Sequence, residues 1–207
     1  MPAEAHVAVR TLFAPFDATA QEYLTFVSSA KRSLYILIYG FHLPALTELL
    51  IAKHRDGVRV NIILDHSQAE GRAESQEVQK LVDAGVPLLI GTSPVHHQIL
   101  HTKATIVDDS AVESGSWNYS LSASAQSNTL TFVYDADYAR AYLDHWHRIW
   151  GFVKLHDMVY QPQDSTPADD VSADAFPPVA KTAPAATVTP ASKTPRGNTS
   201  RAKRSAA

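Results

Sequence analysis

A histidine and a lysine stand two residues apart at His101 and Lys103, at the start of the segment His-Thr-Lys-Ala-Thr-Ile-Val-Asp. An imidazole acts as a nucleophile or a proton donor near neutral pH, and an ammonium group stabilises negative charge on phosphoryl oxygens. We expect a strand over residues 99–107, and side chains two apart on a strand share a face. The pair therefore predicts a site for an anionic phosphoester. The alternative is a pair of solvated side chains on an edge strand.

A second polar segment, Gly115-Ser116-Trp117-Asn118, follows after a tight turn and another predicted strand. Glycine lets a backbone approach a ligand closely, and the hydroxyl of Ser116 and the amide of Asn118 can donate hydrogen bonds to phosphate oxygens. Trp117 lies between them and is a candidate substrate contact. Taken alone, such a segment is equally compatible with an ordinary turn.

The chain contains no cysteine, which excludes a disulfide framework and a cysteine-ligated metal site. His96 and His97 lie close to His101, but adjacent residues of a strand point to opposite faces. No acidic residue stands at a matching ligand spacing. We therefore predict a site without a metal ion and without a cofactor.

The elements that must position these residues alternate between strand and helix patterns. Residues 34–39 and 58–65 are continuous apolar runs typical of buried strands. Helices are predicted from Pro44 onward, over residues 73–84 and over residues 138–150. This alternation predicts an α/β fold, a mixed β-sheet flanked by helices on both faces.

Composition changes sharply near residue 160. Residues 161–207 contain seven of the twelve prolines and one aromatic residue, so we predict a disordered tail after a catalytic domain of residues 1–160. The domain carries 12 basic and 17 acidic residues, whereas residues 193–207 carry five basic residues and no acidic one. That basic tip fits a polyanion, although a simple solubilising extension explains it as well.

The joint spacing His101-x-Lys103-x4-Asp108-x6-Gly115-Ser116-x-Asn118 resembles the composite signature of the phospholipase D superfamily. Residues 36–41 and 57–65 also resemble strands of that family, and the likeness extends over roughly residues 7–152. The resemblance implies a metal-independent phosphodiesterase in which one histidine attacks phosphorus and forms a phosphohistidine. A second histidine protonates the leaving oxygen and then activates water.

Carried onto this chain, the resemblance assigns His101, Lys103, Asp108 and Asn118 to the catalytic site and Ser116 to substrate binding. His101 is the nucleophile or the acid and base, while Lys103 and Asn118, together with Ser116, bind the non-bridging oxygens. Asp108 belongs to the same motif, with structural support of the site as its expected role. Because the motif occurs once, the resemblance implies a homodimer with one active site shared across a twofold axis.

One position departs from the family pattern. Many members have a Glu-Asn pair that orients the catalytic imidazole where this chain has Asn128-Thr129. An amide stabilises an imidazolium ion less well than a carboxylate does. Asn128 or Glu113 is therefore the candidate for orienting His101.

Three function classes remain open from the sequence. The sequence favours the first, a nuclease, since short single-motif members of this family include endonucleases and the basic tip suits a polyanion, although the domain lacks a basic stripe. The second is a phospholipase D acting on phospholipid head groups, and the third is a binding protein that retains the fold. No secretory signal and no apolar run near the ~20 residues of a membrane span occur. We thus expect a cytoplasmic protein with no integral membrane association.

Overall fold

The computed structural model of the chain describes residues 7–69 and 71–156. The predicted tail, its basic tip and the domain boundary at residue 160 lie outside the described residues. Within them, the strands are β1 Ala8–Ala14, β2 Ser33–Ile38, β3 Phe41–His42, β4 Arg59–Asp65, β5 Leu88–Gly91, β6 Lys103–Val107, β7 Ala111–Gly115, β8 Tyr119–Ser120 and β9 Asn128–Tyr134. The helices are α1 Thr19–Ser28, α2 Pro44–Arg55, α3 His66–Ala69, α4 Arg72–Asp83, α5 Leu121–Ser124 and α6 Ala136–His156.

Seven strands form one mixed sheet in the order β1-β9-β7-β6-β2-β4-β5, and β3 pairs with β8 in a small second sheet. Strands β2, β4 and β5 run parallel, whereas the remaining neighbours of the large sheet are antiparallel. All six residues of β2 are buried, as its continuous apolar run predicts for a central strand covered on both sides.

Helices cover both faces of the sheet. On one face, α1, α2 and α4 contribute to a core cluster that includes Tyr23, Leu50 and Leu81. On the other face, α6 packs through Trp146 and Val153 against a second cluster. The predicted fold class, a mixed α/β sheet with helices on both faces, is confirmed.

The ends of several strands meet at one edge of the sheet. Ile38 at the end of β2 pairs with Lys103 at the start of β6, and Asp65 at the end of β4 pairs with Gly91. The small sheet joins this edge, since the N–H of Tyr119 donates to the carbonyl of Gly40 at 3.0 Å. Lys103 at the start of β6 and the motif segment that follows β7 therefore lie at the same edge of the sheet.

The strand expected over residues 99–107 is shorter in the structure, because β6 begins only at Lys103. Residues 99–102 lie outside the ladder, and the N–H of Leu100 donates to the side chain of Asp65 instead of to a neighbouring strand. His101 consequently lies on an irregular segment just before β6, not on the strand itself.

Candidate active site

The side chains of His101 and Lys103 meet at the ring of Tyr39, the residue that follows β2. The ring centroids of Tyr39 and His101 are 4.8 Å apart at an interplanar angle of 61°. The Nζ atom of Lys103 lies 4.9 Å from the centroid of the same ring, within the range of a cation–π contact. The imidazole and the ammonium thus lie beside one aromatic ring, although only Lys103 is on a strand.

Lys103 is buried, with 5% of its surface exposed, whereas His101 is exposed. Burial lowers the pKa of Lys103, and the negative charge of Asp65 opposes that shift. The ammonium donates to the carbonyl of His101 at 2.8 Å. An ammonium has three N–H donors, and within the described residues only this hydrogen bond uses one, which leaves capacity for an anionic ligand.

Asp65 fixes the backbone just before the histidine. Its side chain is fully buried, and Oδ2 accepts the N–H of Leu100 at 2.6 Å. Oδ1 accepts the N–H of Ser67 at 3.0 Å and its hydroxyl at 2.5 Å. Both carboxylate oxygens are therefore in use, and the segment that carries His101 is held to the end of β4.

Asn118 joins the same edge through the backbone next to Tyr39. Its Oδ1 accepts the N–H of Gly40 at 3.3 Å. A Cβ atom added to Gly40 would lie 3.2 Å from the Asn118 side chain, so glycine fits this contact closely. The structure thus brings Asn118 to the edge that holds His101 and Lys103, and among the described residues its amide NH₂ group has no acceptor, so that it can donate to a ligand.

Ser116 and Asn128 bind each other. The hydroxyl of Ser116 donates to Oδ1 of Asn128 at 2.9 Å and accepts the N–H of Thr129 at 3.0 Å. The amide of Asn128 donates to the carbonyl of Ala123 at 2.9 Å. The Asn128 side chain is therefore occupied in closing the turn before β9, and among the described residues no hydrogen bond joins it to His101.

The other two residues of the second polar segment, Gly115 and Trp117, make close contacts within the protein. A Cβ atom at Gly115 would lie 2.0 Å from the carbonyl oxygen of Thr129, so the close backbone approach is to β9 and not to a ligand. Trp117 is fully buried, and its indole N–H donates to the hydroxyl of Ser124 at 3.1 Å. The buried Trp117 is therefore not placed to contact a substrate in this structure, whereas Gly115 is exposed.

Asp108 lies at the far end of β6 from Lys103. Its carboxylate accepts the backbone N–H groups of three consecutive residues, Lys31, Arg32 and Ser33, at 2.7–3.2 Å. These hydrogen bonds lower the pKa of Asp108 against the raising effect of burial. Asp108 does not join His101, Lys103 and Asn118, and its position corresponds to structural support of the strand.

Glu113 belongs to a buried hydrogen-bond network on the same face of the sheet as Lys103. Tyr119 donates to Glu113 Oε2 at 2.9 Å, and the hydroxyl of Thr105 links Tyr119 to Tyr23 at 2.7 Å on each side. Among the described residues, Oε1 of Glu113 has no hydrogen-bond partner. Burial raises the pKa of Glu113 to about 8, so the side chain is mostly neutral at pH 7 and contacts Tyr119, not the imidazole.

This pKa predicts a pH-dependent stability. In the unfolded chain the glutamate pKa is about 4.3, so its raised value in the fold favours folding at low pH. That contribution is complete below the unfolded pKa and is lost as the pH rises toward 8. Relative to Glu113→Gln, we expect the wild-type free energy of unfolding to fall by about 2–3 kcal/mol between about pH 5.5 and 7.5.

Urea denaturation of both proteins across this pH range measures the difference. The glutamine variant is the matched control because it keeps the shape and does not titrate. Parallel pH profiles of the two proteins would show that Glu113 is not the responsible group.

A pocket of about 260 Å³ opens beside His101, between the segment before β6 and helix α6. Most of the lining side chains are apolar, two are the imidazoles of His101 and His145, and none is a lysine or an arginine. The lining residues are Leu37, Ser93, Pro94, Val95, Ile99, Leu100, His101, Thr102, His145 and Ile149. Burial lowers the pKa of His145, and the charge of Arg148 adds to this shift. The pocket therefore offers a largely apolar surface next to the candidate nucleophile.

The neighbouring histidines His96 and His97 are exposed, and their ring centroids lie 3.7 Å apart. Within residues 7–69 and 71–156, no group of three or more histidine, aspartate or glutamate side chains is placed to hold a metal ion. In the same ranges, no helix has both the length and the apolar character needed to cross a bilayer.

Tyr39 and Asp65 belong to this site, but the spacing of the motif does not identify them. Both stand at the ends of the apolar runs that predict β2 and β4. A polar or amphipathic residue that ends a buried parallel strand is a signal for a site at that edge of the sheet. Only the fold shows that these two strand ends lie beside β6.

Comparison with known proteins places the chain in a family. Residues 23–150 match the family described as "Cardiolipin synthase, PLD-like domain". The chain is 28% identical over 141 residues to a phospholipase D of Rickettsia prowazekii, which covers 67% of this chain and 65% of that protein. It is 29% identical over 136 residues to a mitochondrial cardiolipin hydrolase of Xenopus laevis, covering 65% and 62%. The chain thus spans less than two thirds of the length of these relatives.

Solved structures share the fold. Nuc, a phospholipase D family member from Salmonella typhimurium, has a TM-score of 0.65 and 28% identity, with 70% of this chain and 95% of that chain covered. NucT from Helicobacter pylori has a TM-score of 0.63 at 20% identity, covering 70% and 97%, and is similar in fold. With the family match over residues 23–150, and with His101, Lys103 and Asn118 of the motif at one sheet edge, the chain belongs to the phospholipase D superfamily.

Proposed function

We propose that this protein is a metal-independent phosphodiesterase whose nucleophile is His101. One observation carries the proposal. The exposed imidazole of His101 and the buried ammonium of Lys103 both contact the ring of Tyr39. The amide of Asn118 lies at the same sheet edge. An imidazole beside two donors for anionic oxygens is suited to attack at a phosphodiester phosphorus.

The proposed reaction has two displacement steps. The unprotonated nitrogen of His101 attacks phosphorus and the P–O bond to the leaving alcohol breaks, which leaves a phosphohistidine. Lys103 and Asn118 donate hydrogen bonds to the non-bridging oxygens as charge accumulates there. Water then attacks the phosphohistidine, the P–N bond breaks, and the imidazole is regenerated.

A second imidazole is needed to protonate the leaving oxygen and then to deprotonate water. The motif occurs once in the chain, so we propose that a second copy of the chain supplies its own His101 across a twofold axis. In this arrangement the protein is a homodimer with one shared active site. Sedimentation equilibrium of the full chain would reveal a monomer if this assembly is incorrect.

The pocket beside His101 favours a phospholipid as the substrate. Its apolar side chains suit the glycerol and acyl portion of a lipid, and the lack of lysine and arginine in its lining is unfavourable for a nucleic-acid backbone. The second candidate is a nucleic acid. The basic residues between positions 193 and 204 support it, because they could bind a polyanion.

One experiment tests the reaction and both substrate classes. The full chain is incubated in excess EDTA with phospholipid vesicles and, separately, with plasmid DNA. We expect release of the lipid head group in EDTA and little nicking of the plasmid.

Each other result has a defined meaning. Nicking without lipid cleavage would replace the phospholipid by nucleic acid as the substrate. Activity on either substrate only after a divalent metal is added would contradict the metal-independent mechanism, and activity on neither would remove support for the phosphodiesterase.

A further inference from the structure

We infer that Tyr39 is a positioning residue that holds the imidazole of His101 and the ammonium of Lys103 in a fixed mutual arrangement. The inference rests on the proposed function and adds to it a residue outside the motif. Three contacts of the half-buried Tyr39 side chain support the inference.

The first contact is with the candidate nucleophile. His101 is exposed, and among the described residues no side chain forms a hydrogen bond with its imidazole. Its ring lies 4.8 Å from the Tyr39 ring at 61°, an edge-to-face geometry that aromatic rings prefer. The Tyr39 ring therefore restrains an imidazole that the hydrogen bonds of the described residues leave free to rotate.

The second contact is with the phosphate-binding group. The Nζ atom of Lys103 lies 4.9 Å from the centroid of the Tyr39 ring. The same ring thus contacts both groups, so a shift of the ring would change the direction of the imidazole and the position of the ammonium together.

The third contact fixes the ring itself. The phenol oxygen of Tyr39 accepts a hydrogen bond from Nε2 of Gln68 at 2.9 Å. Gln68 lies on α3, which begins directly after Asp65, the residue that binds the backbone of Leu100. Tyr39 is therefore tied at one end to the element that also holds the His101 segment.

This arrangement predicts that the ring of Tyr39 matters more than its hydroxyl. Tyr39→Leu removes the ring, and we expect kcat to fall by about 10- to 100-fold while KM changes by less than about threefold, because misplacement of a reacting group by about 1 Å costs up to about 10²-fold in rate. Tyr39→Phe keeps the ring, and we expect its kcat to stay within about threefold of wild type.

A direct measurement of the imidazole separates positioning from general destabilisation. The NMR order parameter of the His101 side chain, assigned by its absence in His101→Gln, should fall in Tyr39→Leu and not in Tyr39→Phe. Tyr138→Leu is the matched control, because Tyr138 is exposed on α6 and its ring contacts the ring of Tyr142. It should leave both kcat and the His101 order parameter unchanged.

The outcomes are distinct from those of the proposed function. An unchanged order parameter and kcat in Tyr39→Leu would overturn the inference, and so would a large loss of kcat in folded Tyr39→Phe without a fall in the His101 order parameter. If Tyr39→Leu does not fold, Tyr39→Met lacks the ring, fills a similar volume and carries the same expectation. If the wild type has no phosphodiesterase activity, the proposed function fails, and the order parameters alone still decide whether Tyr39 restrains the imidazole.

Discussion

Replacement of His101 by glutamine is expected to lower the turnover of the phosphodiesterase by at least about 10³-fold, since the side chain is the proposed nucleophile and, in the second copy, the proposed proton donor. Glutamine retains hydrogen-bonding capacity but cannot form the covalent phosphoryl intermediate. Because His101 is exposed, the fold should keep its stability. Initial rates and thermal unfolding of both proteins measure these two expectations.

The intermediate gives a second measurement of the same change. Wild-type protein that is quenched during turnover of a substrate labelled at the phosphate should carry label that acid removes and alkali does not, as a phosphohistidine requires. His101→Gln should carry none. The matched control is His54→Gln, because His54 lies near the end of α2 at the opposite end of the sheet. Full activity in a purified His101→Gln protein would assign the reaction to another group or to a contaminant.

The second large effect is expected at Lys103. Lys103→Met keeps the length of the side chain and removes the charge, and we expect kcat to fall by about 10²- to 10³-fold, the usual result of removing one donor to a charged transition state. Stability should not fall, because burial already disfavours the ammonium, as the lowered pKa of Lys103 shows. The variant should therefore unfold at the same temperature as wild type or higher.

Initial rates and thermal unfolding decide this prediction together. Lys31→Met is the matched control, since Lys31 is exposed and lies at the far end of β6 beside Asp108. It should retain wild-type rates. A Lys103→Met protein that is stable and fully active would show that the ammonium does not stabilise the transition state.

The fold was predictable where side-chain burial follows simple patterns. The continuous apolar runs mark β2 and β4 because both faces of the parallel part of the sheet are covered. The end of α6 was not predictable in this way. Glycine often follows the end of a helix, but α6 continues past Gly151 to His156. In this last part of the helix, Val153 packs against Gly91. That contact joins residues 62 positions apart and leaves no local signal.

The site was predictable in its residue types and only partly in their roles. The spacing of the motif identifies His101, Lys103 and Asn118, which the fold brings to one sheet edge. Small or aromatic residues inside a motif are ambiguous, because close packing of strands and close approach of a ligand both require them. Gly115 meets the backbone of Thr129 and Trp117 meets Ser124. Those contacts arise when the turn before β9 closes, which the spacing alone does not show.

The hydrogen bond between Asp65 and the N–H of Leu100 separates the part of the chain that positions His101 from the part that shapes the pocket. Leu100 is bound to the end of β4, so the proposed nucleophile His101 is positioned by the sheet and not by residues 92–98 that precede it. Those residues supply Ser93, Pro94 and Val95 to the wall of the pocket. In the proposed reaction, the length and composition of these residues can therefore vary to admit differently shaped leaving groups, while the position of the His101 imidazole stays the same.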